Sequence, residues 1–126
     1  MKPRVAIWAA VSTPEQATVD KDSLPGQIRD GEAWAEENNY DVVAVYEVTG
    51  HSRKYIKFDD AAEDMPAYAQ LEKDATDGAF DALWCRERSR LGRTMALIHT
   101  VEAIVADNDA EVYSAKTPHE IGKSSK

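Results

Sequence analysis

One serine, Ser12, follows an apolar run over 4–10 and opens a polar stretch over 14–22. A hydroxyl placed there leaves a buried strand at the carboxyl edge of a sheet, where α/β folds position their nucleophiles. A second apolar run, 80–85, has the same layout and ends in a dense group of cations: Arg86, Arg88, Arg90 and Arg93. A serine hydroxyl is a weak nucleophile. Its attack requires fixed cations or donors to meet the charge that develops. A hydroxyl and several guanidiniums at neighbouring strand ends therefore point to attack on a phosphate.

Arg90 and Arg93 stand three apart where a helix is expected to begin, so they are suited to grip one phosphate in bidentate fashion. The backbone N–H groups of a helix start would add to that grip. If the preceding residues continue the strand, Glu87 and Ser89 share one face and Arg86, Arg88 and Arg90 the other. Gln27 lies one position before the apolar Ile28 and, taken alone, reads as an ordinary polar helix residue. Ser52, Arg53 and Lys54 offer a hydroxyl and two cations from a long loop. Each group also has an everyday reading, as a Ser-Thr turn or a solvated charged turn. His51, His99 and His119 are scattered, and with Cys85 as the sole cysteine they make no metal-ligand spacing. No Gly-rich phosphate loop is present, so neither a metal nor a cofactor is expected.

These residues need elements to hold them. The run over 4–10 reads as a buried strand. Ser23 then offers an N-cap and Pro25 a first-turn proline, with Leu24, Ile28, Gly31 and Ala35 on one helical stripe that ends near Asn39. A valine-rich second strand is expected over 41–46. A long irregular loop over 47–65 follows, and loops of that length are usually functional or disordered. Pro66 opens a second helix running to Lys73. A third strand over 80–85 leads through Gly92, Arg93 and Thr94 into a third helix, with Met95, Ile98, Val101 and Val105 at helical spacing. A fourth strand is expected over 111–115. Alternation of this kind implies an α/β fold: a mostly parallel sheet of four to five strands, covered by helices on both faces as three layers.

The 126 residues suit one domain, expected over 1–118 with a polar, mobile tail over 119–126. A hydrophobic fraction of 43% fits a globular chain. No apolar run approaches the ~20 residues of a membrane span, so no membrane contact is expected. The N-terminus lacks the apolar region of a signal peptide, and one cysteine permits no internal disulfide, so a cytoplasmic setting is expected. The net charge of −8 argues against a generic nucleic-acid binder, although it leaves room for a local basic site.

Taken together, the motifs resemble the N-terminal catalytic domain of serine site-specific recombinases, the resolvase/invertase family, in the style of its large members. The resemblance covers roughly residues 4–115. The run from Val5 to Thr13 is similar to the family's "YxRVST" strand. Ser23, Leu24 and Gln27 match its "SLxxQ" helix start, and Gly50 with Ser52 matches the loop serine of "DxGxSG". Pro66 and Leu71 match "RPxxxxL", and Arg90, Leu91, Gly92 and Arg93 match "DRLGR". The resemblance implies a DNA-cleaving enzyme. Ser12 would attack a phosphodiester and form a 5′-phosphoserine link, Arg90 and Arg93 would hold the scissile phosphate, and Gln27 and Ser52 would support them. It implies double-stranded DNA as partner, a homodimer or tetramer in the full-length context, and no cofactor.

The chain departs from the pattern at three places. Ala10 stands where the family has an arginine two residues before the serine, Met65 replaces the arginine of "RP", and Ser89 replaces the aspartate of "DRLGR". Glu87 stands where some large members carry that carboxylate. A lost charged contact to a transition state costs about a hundredfold in rate, so two cost on the order of 10⁴ unless Arg53, Lys54, Arg86 or Arg88 compensates. Two readings follow: a recombinase catalytic domain, or the same fold as a non-catalytic assembly or regulatory module. The family continues into a dimerisation helix and DNA-binding domains. The sequence is therefore expected to be an excised catalytic domain or a small orphan, binding DNA weakly by itself.

Overall fold

A computed structural model describes residues 2–11, 23–49, 57–92 and 94–115. The elements run β1 (Arg4–Val11), α1 (Leu24–Glu37), β2 (Asp41–Thr49), α2 (Phe58–Asp64), α3 (Pro66–Thr76), β3 (Ala82–Cys85), a 3₁₀ turn (Arg88–Leu91), α4 (Met95–Asp107) and β4 (Glu111–Ser114). The four strands form one parallel sheet in the order β2-β1-β3-β4. The expected three-layer α/β fold is the observed one.

β1 is the central strand, and its burial follows from its two faces. Ala6, Trp8 and Ala10 point toward α2, α3 and α4, where they join Tyr68, Leu71, Leu97 and Val101 in the main core. Val5, Ile7, Ala9 and Val11 point the other way, toward α1. A strand covered on both faces is continuously apolar rather than alternating, as the run 4–10 is. α1 begins at Ser23, whose side chain accepts from the Gly26 N–H at 3.2 Å. It then lies close against the sheet: a Cβ on Gly31 would fall 2.8 Å from Trp84 Cε3 and 3.0 Å from Ile7.

Several expected boundaries differ. β2 continues to Thr49, so the irregular loop begins later than position 47. Within that expected loop, Phe58–Asp64 forms a helix, buried through Phe58 and Ala61. Met65 ends α2 and starts α3. α3 runs on to Thr76, past the expected end at Lys73. Met95, expected on the buried stripe of α4, is 55% exposed, and Leu97 fills the core in its place. The strand over 80–85 is shorter, starting at Ala82, and from Arg88 on the chain curls into the 3₁₀ turn.

The order of the strands sets where a site can form. The chain leaves β1 for β2 on one side and leaves β3 for β4 on the other. Between β1 and β3 the direction of winding reverses, and a crevice opens at their carboxyl ends. β1 runs into the segment carrying Ser12, and β3 runs into the arginine-rich turn.

Candidate active site

β1 outlasts β3. It pairs with β2 as far as Val11, but with β3 only from Val5 to Trp8. At the start of β1, Arg4 turns its backbone toward Asp81, just before β3: the Asp81 N–H donates to Arg4 O at 2.8 Å, and the Arg4 N–H donates to the Asp81 carboxylate at 2.8 Å. Backbone groups alternate direction along a strand, so the even-numbered residues of β1 turn their N–H and C=O toward β3. Ala10 does so past the last residue of β3, where no strand meets it.

Two side chains fill that gap. Gln27, fully buried in α1, accepts from the Ala10 N–H through Oε1 at 3.1 Å and donates from Nε2 to the Ala10 carbonyl at 2.9 Å. Its carboxamide thus acts as one more rung of the sheet. Arg90 adds a third bond, NH1 donating to the same carbonyl at 3.1 Å. The backbone two positions before Ser12 is therefore held by a buried amide and a guanidinium, which satisfies polar groups that would be costly to bury unpaired.

Arg90 owes its place to the 3₁₀ turn. Three residues make one turn of such a helix, so Glu87 and Arg90 come together, and Glu87 Oε2 lies 3.6 Å from Arg90 Nε. The turn itself is gripped from the main core. The Trp8 indole donates to Arg90 O at 2.8 Å, and the Tyr68 hydroxyl donates to Leu91 O at 2.9 Å. Burial pushes the Tyr68 phenol well above its ordinary pKa, so it remains a donor. Past the turn, Gly92 lies against α4: a Cβ there would fall 2.9 Å from the Leu97 side chain.

The other candidates are distributed differently. Arg86 forms an ion pair with Asp30 of α1 at 2.5 Å. Arg88 meets Glu102 of α4 in a two-point bond, Nε at 2.5 Å and NH2 at 2.8 Å. The two arginines thus hold helices on opposite faces of the sheet, and the shared strand face expected for Arg86, Arg88 and Arg90 does not form. Met65 is 9% exposed and packs in the main core, beside a groove of about 210 Å³ lined also by Glu47, Thr49 and Asp64. Cys85 is buried at the end of β3. Burial first, and then the Glu102 carboxylate, push its thiol up to about 12, which leaves it protonated and unreactive at neutral pH. Ser12, Ser52, Arg53, Lys54 and Arg93 lie outside the described residues. Among the described residues no three His, Cys, Asp or Glu side chains are grouped to hold a metal ion.

Of the sequence candidates, then, Gln27 and Arg90 converge on the end of β1, with Glu87 beside Arg90. Trp8, Tyr68, Asp30 and Glu102 were not singled out as parts of the site. Trp8 stands at the tyrosine of "YxRVST", which marks an aromatic there. Nothing local marks the other three, because their partners are distant in sequence.

Residues 5–125 match the family model "Resolvase, N terminal domain". No curated protein matches the chain. Among solved structures, the N-terminal catalytic domain of TP901-1 integrase superposes with a TM-score of 0.73 at 26% identity, over 90% of this chain and 78% of that one. A resolvase family site-specific recombinase from Streptococcus pneumoniae gives a TM-score of 0.73 at 21% identity, over 98% and 78%. A serine recombinase from Sulfolobus solfataricus gives 0.65 at 18%, over 95% and 72%, and these last two likenesses speak for the fold. With the family match spanning nearly the whole sequence, and with the strand end, the buried glutamine and the arginine turn assembled at the switch point of the sheet, the chain belongs to the resolvase N-terminal domain family, the catalytic-domain fold of serine DNA recombinases.

Proposed function

We propose that this domain cuts and rejoins double-stranded DNA, with Ser12 as nucleophile and Arg90 and Arg93 as the cations that hold the scissile phosphate. The Ser12 hydroxyl oxygen attacks phosphorus and gives up its proton. The bond from phosphorus to the 3′ oxygen breaks, and that oxygen leaves as a hydroxyl. The 5′ phosphate stays on Ser12 as a diester, so attack by a 3′ hydroxyl of a new partner strand reverses the step with no outside energy source. The carrying observation is the convergence of Gln27 and Arg90 on Ala10 O, two residues before Ser12 and at the crevice between β1 and β3. A guanidinium at 3.1 Å from that carbonyl stands at the end of the strand that delivers the hydroxyl.

Glu87 takes the carboxylate role beside Arg90, as its distance of 3.6 Å supports. Arg53 and Lys54 are the candidates to replace the arginines absent at Ala10 and Met65. Arg86 and Arg88 are matched by Asp30 and Glu102, which favours a structural role for them. The domain is assigned to residues 1–118, it works as a homodimer or tetramer in its full-length context, and its setting is cytoplasmic. No helix among the described residues is long and apolar enough to cross a membrane.

The test uses the longest natural form of the protein and end-labelled DNA fragments tiling the region around its own gene. Quenching in denaturant should trap a protein–DNA adduct that protease removes and that Ser12→Ala abolishes. A folded, DNA-bound protein that yields no adduct would sink the enzyme reading and leave the non-catalytic module.

A further inference from the structure

Arg88 matches no position of the family motifs, yet its guanidinium makes a two-point carboxylate bond reaching from the turn to α4. We propose that the Arg88–Glu102 pair is a positioning device that sets the pose of Arg90. As a claim about cleavage it rests on the reading of Ser12 and Arg90 above.

The turn over Arg88–Leu91 is only four residues long. A 3₁₀ turn of that length has poor hydrogen-bond geometry and little stability of its own, so its pose depends on what holds it from outside. Trp8 and Tyr68 bond the carbonyls of Arg90 and Leu91, which are both in its second half. The first half is held through the side chain of Arg88. Two parallel N–H···O bonds fix direction as well as distance, which one contact does not. Just before the turn, Arg86 is bonded to Asp30 on the opposite face of the sheet. The segment bearing Arg90 is thus held from α1 on one side and α4 on the other.

Two of the contacts of Arg90 are longer, 3.1 Å to Ala10 O and 3.6 Å to Glu87, so the pose of the turn bears on where its guanidinium lies. Side-chain exposures of 38% for Arg88 and 19% for Glu102 mean that the pair adds only modestly to stability. The chemistry is far less tolerant, since a shift of about 1 Å in a catalytic group can cost about a hundredfold in rate. That asymmetry separates a positioning role from a merely structural one.

The experiment begins with this chain alone. The Trp8 indole N–H is bonded to Arg90 O, so its ¹H–¹⁵N signal reports where the turn lies. The Trp84 indole, buried on the α1 face without a hydrogen-bond partner among the described residues, is an internal control. In Arg88→Gln the Trp8 signal should shift and exchange faster with solvent while the Trp84 signal stays. Tm should fall by about 5 °C or less. The charge swap of Arg88→Glu with Glu102→Arg should restore the Trp8 signal. Glu102→Gln provides the same measurement if Arg88→Gln does not fold. An unchanged Trp8 signal in a folded variant would overturn the proposal.

The second arm uses the longest natural form and the DNA fragments above. Arg88→Gln should slow adduct formation about a hundredfold with DNA affinity unchanged, and the swap should recover it. Adducts forming at the wild-type rate would overturn the positioning role in cleavage. If the unmodified protein forms no adduct, the Ser12 reading falls, and the indole signals alone decide whether the pair holds the turn.

Discussion

Gln27 does at residue scale what a strand would do at element scale. Its amide offers one acceptor and one donor at the spacing of a peptide group, and Ala10 takes both. A Gln27→Leu variant keeps the volume but leaves a buried N–H and C=O short of partners. It should lose roughly 2–3 kcal/mol, read from urea unfolding midpoints at constant slope. Gln27→Glu adds a test by pH. The new carboxylate can accept from the Ala10 N–H but cannot donate to the carbonyl, and burial raises its pKa. A raised folded-state pKa means the folded protein binds the extra proton, so the variant should regain stability as pH falls from 7 toward 5, where the protonated acid can donate. A flat pH response would place residue 27 in contact with solvent. Single-sequence reasoning reads this residue as ordinary, because hydrophobic spacing selects Ile28 for the buried stripe. The resemblance marks it, but only the lengths of β1 and β3 explain why a polar group is needed there.

Elements were legible where composition and geometry agree. β1, α1 and α4 are framed by apolar runs; Ser23 caps α1 as expected, and Thr94 caps α4, accepting from the Leu97 N–H. α2 was missed because its charges, Asp59, Asp60, Glu63 and Asp64, read as loop, although Phe58, Ala61 and Met65 keep helical spacing. The 3₁₀ turn is not marked in the sequence, because an arginine-rich run has no apolar period. Glu87 is in fact extended, at φ −156° and ψ 156°, and the chain curls only after it. At this scale the most exposed dependency is the seat of α1 on the sheet. Gly31 has no room for a methyl beside Trp84 and Ile7, two buried side chains on different strands. Gly31→Ala should therefore cost about 1–3 kcal/mol despite the better helix propensity of alanine. Thermal unfolding checks this, and a stabilised variant would mean that α1 shifts freely. Because α1 also carries Gln27, the same variant should loosen the end of β1.

For the whole molecule, charge decides what the domain can do alone. A net charge of −8 surrounds a cationic turn, and Arg86 just before it and Arg88 within it are already matched by Asp30 and Glu102. Non-specific DNA binding depends on the number of phosphates that lysine and arginine neutralise, with a log–log salt slope of about −0.9 for each. Acids outnumber bases 23 to 15, and the acidic surroundings oppose approach. By fluorescence anisotropy on a labelled duplex at physiological salt, this chain should bind with Kd weaker than about 100 µM, the weak end of non-specific binding. Lowering the salt should reveal a slope of about −2 to −4, as expected for a handful of phosphate contacts. Arg90→Ala should make that slope shallower by about 1, whereas a surface change such as Lys73→Ala, on a helix far along the chain, should leave it alone. Submicromolar binding with a slope near −8 would require a continuous basic face, and the domain would then find DNA by itself. Weak, shallow binding that loses one contact with Arg90 means that the domain contributes the cutting geometry, while other parts of a recombinase assembly supply most of the attraction to DNA.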